Sequence, residues 1–380
     1  MLKNIEYIDS EKQFEVFLDK AAKARQIAVD LEFDSNHHHY GFSLCLMQIF
    51  CGEKAYLIDP QFVDISKVFS LFENENVEKI VFSFGEDLRL LASMGCKTRN
   101  IYDISTAVKL LDYEKISLAD VIRENLEIEL EKGSQTSDWC RRPISEKQLL
   151  YAANDVFYLP ELKKIIDKKI RENGIEKWLE EENKAMENID YSANLRNAIK
   201  EKDKRNMTEF QWYFYQKLWE FREQIAEKAD KPPHRVIDNN LLKELAINPS
   251  LLNNWKNNKG IIYLLKNDFY ASTLKKLYKS ALKEAKNSGL SMTEMAMKYP
   301  SKEAAAEKRA KRHENEKIKE EIFKPVREAI KRDYGENAVN FILSNRLIDE
   351  ILRGEKQNLR NYKKELLLKY GDAEYLGKWL

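Results

Sequence analysis

Two kinds of hydrophobic pattern alternate over the first 175 residues. Short apolar runs at 27–33, 44–50, 55–58, 79–83 and 99–103 have the length and composition of strands. Between and around them, apolar residues recur at helical spacing near 11–24, 65–73, 86–94, 105–112, 117–126 and 145–170. This alternation predicts an α/β fold over residues 1–175, a mixed sheet covered by helices. The three closely spaced early strands suit an antiparallel meander. From 176 to 206 the chain turns charged and helical, with acids at Glu180–Glu182 and a mixed run from Lys200 to Arg205, and reads as a helical connector. No strand pattern follows. Phe214, Leu218, Phe221 and Ile225 keep helical spacing until Pro232-Pro233 break it, predicting an all-α bundle over 207–286. Residues 287–320 read as a charged helical linker, and the stretch Lys302–Arg332 as a solvated face of mixed sign with a basic lean. Val339, Phe341, Leu347 and Ile351 predict a further helical domain over 321–380.

Against this pattern, Asp30 and Glu32 stand out inside the apolar run Ile27–Phe33. Side chains repeat every two residues along a strand, so both carboxylates project from one face. Burying one acid is costly and two side by side more so, unless a cation sits between them. A hard divalent ion with oxygen ligands resolves the conflict. A strand end with two solvated acids is the ordinary explanation, and the motif by itself is too short to choose. A second element is the helix after Pro143, where Ser145 and Gln148 have the form of a capping box and Tyr151 and Asp155, four apart, share a face. A third is Asp87, in the first turn of a helix that follows a short strand, where the helix dipole favours negative charge. Packing for Tyr151, a cationic neighbour for Asp155 and dipole compensation for Asp87 are the structural alternatives.

In order and spacing these elements match one family. The chain resembles ribonuclease D and its relatives among the DEDD 3′→5′ exonucleases, in the subclass with a tyrosine in the last motif. The resemblance lies in Asp30-Leu-Glu32, Gly85-Glu-Asp87-Leu and Tyr151-Ala-Ala-Asn-Asp155, and most specifically in Ser137-Asp-Trp-Cys-Arg-Arg-Pro143. Leu44-Cys-Leu-Met-Gln48-Ile fits the second strand of that branch. Phe82 stands where many bacterial members carry a His, a position that is not a metal ligand in the family. A softer resemblance, to the HRDC domain that usually helps bind nucleic acid, runs through Leu218–Ala226, Lys231–Ile237 and Asn240-Leu-Leu. The C-terminal helices correspond in position to a second HRDC-like domain.

The resemblance implies a ribonuclease-H-like exonuclease domain followed by helical HRDC-type domains. It implies a two-metal mechanism: Asp30, Glu32 and Asp155 hold one ion, and Asp30 bridges to a second with Asp87 acting through water. Tyr151 orients or helps deprotonate the attacking water, and the product is a nucleoside 5′-monophosphate. Mg²⁺ is the default ion and Mn²⁺ a substitute. Leu31, Phe33, Gln48, Lys132, Arg141 and Arg142 stand as candidate substrate contacts, with structural salt bridges as the alternative for both arginines. Trp139 reads as core. The triple His37-His38-His39 reads as a loop at the rim of the site rather than a metal site, since adjacent loop residues point different ways. By family analogy the substrate is RNA with a free 3′ end, tRNA precursors first. A DNA exonuclease and a non-catalytic RNA-binding protein are the alternatives, the latter opposed by the intact acids and Tyr151.

Composition narrows this only slightly. Of 380 residues 43% are hydrophobic and 33% charged, which fits well-formed cores under a solvated surface. No stretch nears the ~20 apolar residues that span a bilayer, and the N-terminus lacks a signal-peptide core. Four cysteines without a Cys-x-x-Cys pair read as reduced core or surface thiols of a cytoplasmic protein, and a monomer is expected. A net charge of +1 leaves RNA contact to a local basic patch, and predicts weak, salt-sensitive binding.

Overall fold

The computed structural model describes residues 4–130, 137–191, 199–298 and 301–377. The chain forms two compact units, Met1–Glu32 with Leu44–Leu195 and Ala304–Leu380, and Phe33–Ser43 with Arg196–Glu303.

The first unit is built on a mixed sheet. In chain order its elements are β1 (Ile5–Ile8), α1 (Glu11–Ala21), β2 (Gln26–Ser35), β3 (Phe42–Cys51), β4 (Lys54–Ile58), α2 (Phe69–Glu73), β5 (Glu78–Val81), α3 (Gly85–Ser93), β6 (Ile101–Asp103), α4 (Ile104–Leu110), α5 (Leu118–Leu126), α6 (Glu146–Phe157), α7 (Leu159–Glu172) and α8 (Glu176–Glu187). The strand order is β1-β4-β3-β2-β5-β6. β3 and β4 pair antiparallel, while β1 with β4, β2 with β5 and β5 with β6 pair parallel. The expected mixed sheet is therefore present, with one strand more than the hydrophobic pattern showed. β1 escaped notice because it has four residues and buries only Ile8 fully. Its partner β4, with Ile5 opposite Ala55 and Ile8 opposite Ile58, supplies the order it lacks alone.

The helix expected over 145–170 is two. Ser145 and Gln148 close the capping box of α6, and α7 starts at Leu159 with Pro160 in its first turn. Proline there lacks an N–H and clashes with the preceding turn, so one helix ends and the next begins. At the sheet edge α8 satisfies the free donors of β6: the Ile101 and Asp103 N–H groups donate to Glu187 Oε1 at 3.2 Å and Asn183 Oδ1 at 3.3 Å. An open edge that would otherwise invite strand addition is thereby closed.

The second unit is helical: α9 (Glu209–Ala229), α10 (Pro233–Val236), α11 (Asn239–Ile247) and α12 (Asp268–Asn287). Thr208 and Gln211 form a capping box at the start of α9. Phe210, Phe214, Leu218 and Ala226 bury one stripe of that helix, and the Trp255 indole N–H donates to the Leu265 carbonyl at 2.7 Å. The histidine triple belongs to this unit. Its backbone is organised by the buried Asp34 carboxylate, which accepts from the His37 and His38 N–H groups at 2.9 and 2.8 Å, and His39 Nδ1 meets Asp230 at 2.7 Å.

The C-terminal elements are α13 (Lys302–Ile318), α14 (Lys324–Tyr334), α15 (Ala338–Ile342), α16 (Asn345–Leu352) and α17 (Asn361–Tyr370). α13 buries no residue, as its charge pattern foretold. The helices after it differ from expectation: rather than a separate domain, they share one buried cluster with the α/β unit, where Val326, Ile348 and Leu366 join Ile166, Ile170 and Leu179. The joint centres on Glu182 of α8. Its carboxylate accepts from the Tyr362 hydroxyl at 2.7 Å and pairs with Lys363 at 2.7 Å and Arg360 at 3.3 Å. Trp178, one turn earlier, stacks on Tyr362 with ring centroids 4.8 Å apart. Burial pulls the Lys363 amine below its ordinary range. Removing the acid leaves that buried amine unpaired, so Glu182→Leu is expected to cost about 3–5 kcal/mol. Equilibrium unfolding with hydrogen exchange over 361–370 measures this; unchanged exchange there would contradict it.

Candidate active site

On β2, Ala28, Asp30 and Glu32 share one face, and Ile27, Val29 and Leu31 fill the core on the other. α6 brings Asp155 to the acidic face: carboxylate oxygens of Asp30, Glu32 and Asp155 all lie within 4.8 Å of one another. Asp87, buried in the first turn of α3, completes the group electrostatically. Burial first, then the charge of Asp30, pushes both Asp87 and Asp155 well above the ordinary carboxylate range. Burial raises Asp30 to about 7, and burial with the charges of Asp30, Asp155 and Asp87 raises Glu32 to about 10. Burial and these same acids raise the Tyr151 phenol above its usual value. Among the described residues, the side-chain charges that shift the four acids are themselves carboxylates. An all-oxygen donor set without a protein counter-ion fits a hard divalent cation.

Three elements hold this arrangement. Tyr151 stands one turn before Asp155 on α6, with Trp139 5.9 Å away, ring to ring. Trp139 is buried, as expected, and its segment is tied down on both sides. Arg142 donates to Asp59 at 2.7 Å, to the Cys45 carbonyl at 2.7 Å and to the Trp139 carbonyl at 2.7 Å, while Tyr7 donates to the same carboxylate. Of its two readings, Arg142 therefore takes the structural salt bridge. Cys140 forms a disulfide with Cys45, Cα atoms 4.7 Å apart, which corrects the expectation of four reduced thiols; Cys51 and Cys96 are free. Ninety-five residues separate the pair, and no spacing rule links them.

The third element is Asp103, which sequence reasoning missed. Buried at the end of β6, it accepts from the N–H groups of Ser83 at 3.0 Å, Phe84 at 3.3 Å and Ser105 at 2.7 Å. Ser83 is left-handed, φ 61°, and lies in the turn that launches α3 and hence Asp87. An Asp two residues before a Ser at a strand-to-helix junction was the available signal. Asp103→Ala is expected to destabilise the protein by about 1–3 kcal/mol and to lower activity through Asp87, with Asp103→Asn milder because it keeps one acceptor oxygen. Thermal melts and metal titrations check this; an alanine variant with unchanged metal affinity would refute the positioning role.

The remaining candidates scatter. Leu31 is core. Phe33 packs edge-on against Phe42 at 5.2 Å. Gln48 is fully buried, and neither of its amide atoms has a hydrogen-bond partner among the described residues. Arg141 is exposed, and Lys132 lies outside the described residues.

With a mixed sheet under helices, three acids and a tyrosine on β2 and α6 and a fourth acid on α3, the chain has the makeup of a nuclease of the 3′→5′ exonuclease class. The family model described as 3′-5′ exonuclease matches residues 5–171, and the HRDC domain model matches residues 214–250. The chain is 31% identical over 252 residues to ribonuclease D of Desulfotalea psychrophila, covering 64% of this chain and 67% of that one. It is 30% identical over 251 residues to ribonuclease D of Sphingobium indicum, covering 64% of each. The aligned stretch thus spans about two thirds of these relatives. The fold is that of Escherichia coli RNase D, described as an exoribonuclease involved in structured RNA processing: TM-score 0.69 at 20% identity, over 99% of this chain and 98% of that one. The chain belongs to the ribonuclease D family of 3′→5′ exoribonucleases.

Proposed function

We propose that the protein is a divalent-metal-dependent exoribonuclease that trims the 3′ ends of structured RNA, tRNA precursors among them, and releases nucleoside 5′-monophosphates. The observation that carries this reading is the convergence of the Asp30, Glu32 and Asp155 oxygens within 4.8 Å, on a half-buried face where, among the described residues, the charges acting on Glu32 are carboxylates. Asp30, Glu32 and Asp155 would hold one ion, with Asp30 and Asp87 contributing to a second. Bound there, divalent ions supply positive charge against the anionic phosphate as hydrolysis proceeds. Water oxygen bonds to phosphorus and gives up a proton to solvent, the bond from phosphorus to the 3′ oxygen breaks, and that oxygen takes a proton from solvent. Without metal, burial and the charges of Asp155, Glu32 and Asp30 hold the Tyr151 phenol above its usual value, and a divalent ion beside these acids would offset their charge. In the loaded site Tyr151 would orient the attacking water or help to deprotonate it. The HRDC unit supplies further nucleic-acid contact.

A time course on a 5′-labelled RNA with a 3′ extension tests this, with Mg²⁺, Mn²⁺ or EDTA and with a matched single-stranded DNA. A ladder shortening from the 3′ end, abolished by EDTA and weak on DNA, is expected. Intact RNA under both metals would overturn the proposal.

A further inference from the structure

We propose that the exonuclease unit carries a second nucleic-acid contact: a cationic groove at the far end of β2 from Glu32 that holds phosphates of the RNA body. This rests on the exoribonuclease reading above and adds where the rest of the substrate lies.

The groove encloses about 860 Å³ between the end of α1, the start of β2, the end of β3 and the junction of α6 with α7. Lys20, Lys23, Arg25 and Lys164 line it, against one acid, Glu161. None of the four cations makes an ion pair among the described residues, whereas the adjacent Lys163 pairs with both Asp167 at 2.6 Å and Glu78 at 3.5 Å. In a chain of net charge +1, four cations against one acid in one concavity are a local excess of the kind that phosphates recognise. The floor is aromatic. Phe50 and Phe157, half-buried and edge-to-face at 5.3 Å, line the same groove and suit an unstacked base. Cations around aromatic rings are the chemistry of a nucleotide unit, and a lipid or peptide would use it less completely.

Distance favours the body of a strand over its end. Arg25, the groove's cation beside the start of β2, is five residues before Asp30 and seven before Glu32, or about 17–23 Å at ~3.3 Å per residue. That is roughly six nucleotide steps of a stacked strand at ~3.4 Å each. An RNA whose 3′ end meets the acids can present phosphates to the groove, while a trinucleotide is too short to reach it.

The test uses the full chain with Lys20→Glu, Lys23→Glu and Lys164→Glu combined, assayed on a 3′-extended RNA hairpin and on a trinucleotide across a salt series. For the hairpin, KM is expected to rise about tenfold or more with kcat unchanged, and the slope of log KM against log salt to fall by about 2–3 for three lost phosphate contacts. Trinucleotide kinetics should not move. A hairpin KM within about twofold of wild type, or an equal loss on the trinucleotide, would overturn the inference. AMP tests the other source of the same chemistry: if AMP inhibits the wild type and the variant escapes while hairpin KM stays constant, the groove takes a free mononucleotide and the inference fails. Should the wild type cut neither RNA, the exoribonuclease reading has failed. Hairpin affinity by filter binding then decides the groove separately, with tenfold weaker binding by the variant expected and equal binding overturning it.

Discussion

Asp155→Asn is expected to lower the exonuclease rate by about three orders of magnitude or more, while leaving the protein folded and, without metal, more stable than the parent. The two effects share one cause. In the parent, Asp155 adds a third carboxylate to oxygens already within 4.8 Å, and its charge is one of those that raise Glu32 to about 10. The amide keeps the shape and removes that charge, so the repulsion around Asp30 and Glu32 falls. The same deletion takes an anionic ligand from the set that fits a divalent ion. Single-turnover cleavage of labelled RNA, with thermal melts in EDTA, reads both. Near-wild-type cleavage would dismiss the site assignment; lost cleavage with a lowered melting temperature would mean that Asp155 serves the fold instead.

Without metal, stability should decline as pH rises from about 4 to about 7, and divalent ions should restore more of it at pH 8 than at pH 5.5. The sign follows from proton counting. Asp30 keeps its proton in the folded protein to about pH 7, whereas an unfolded carboxyl loses it near pH 4. Over that window the folded state binds more protons, so stability falls with increasing pH. Glu32, raised to about 10, extends the same trend upward. A cation displaces these protons, and displacement is easier when they are already weakly held. At a hundredfold excess over Kd the ion contributes about 2.7 kcal/mol, a few °C in a protein of this size. Melting curves with Mg²⁺, Mn²⁺ and EDTA at both pH values measure it. Equal increments at the two pH values, or none, would argue against a carboxylate metal site.

Much of the site was legible because its motifs are local. A strand period of two puts Asp30 and Glu32 on one face, a helical turn puts Tyr151 beside Asp155, and a first-turn position gives Asp87 to a helix start. Those rules hold without knowledge of any other part of the chain. Ser145 and Gln148 marked the start of α6 for the same reason. Even so, periodicity could not show that a third carboxylate joins these two; the arrival of α6 over β2, more than a hundred residues later, brings Asp155 to them.

What the tertiary structure alone decided involves partners distant in sequence. β1 is a strand because β4 lies beside it, and Asp103 matters because the turn at Ser83 folds onto it. Arg142 was open to phosphate or carboxylate until Asp59, 83 residues away, met it. Cys45 and Cys140 carry no mutual signature, and Glu182 shows no sign of the three C-terminal side chains that converge on it. Local periodicity follows from the geometry of one segment, and sequence therefore determined the elements and the kinds of residue each presents. Pairing across a long loop depends on which surfaces bury each other and satisfy each other's charges, a competition among all segments at once. That competition, settled only in the folded chain, brought the acids together and left the groove beside Lys20 and Lys164 with its cations unpaired.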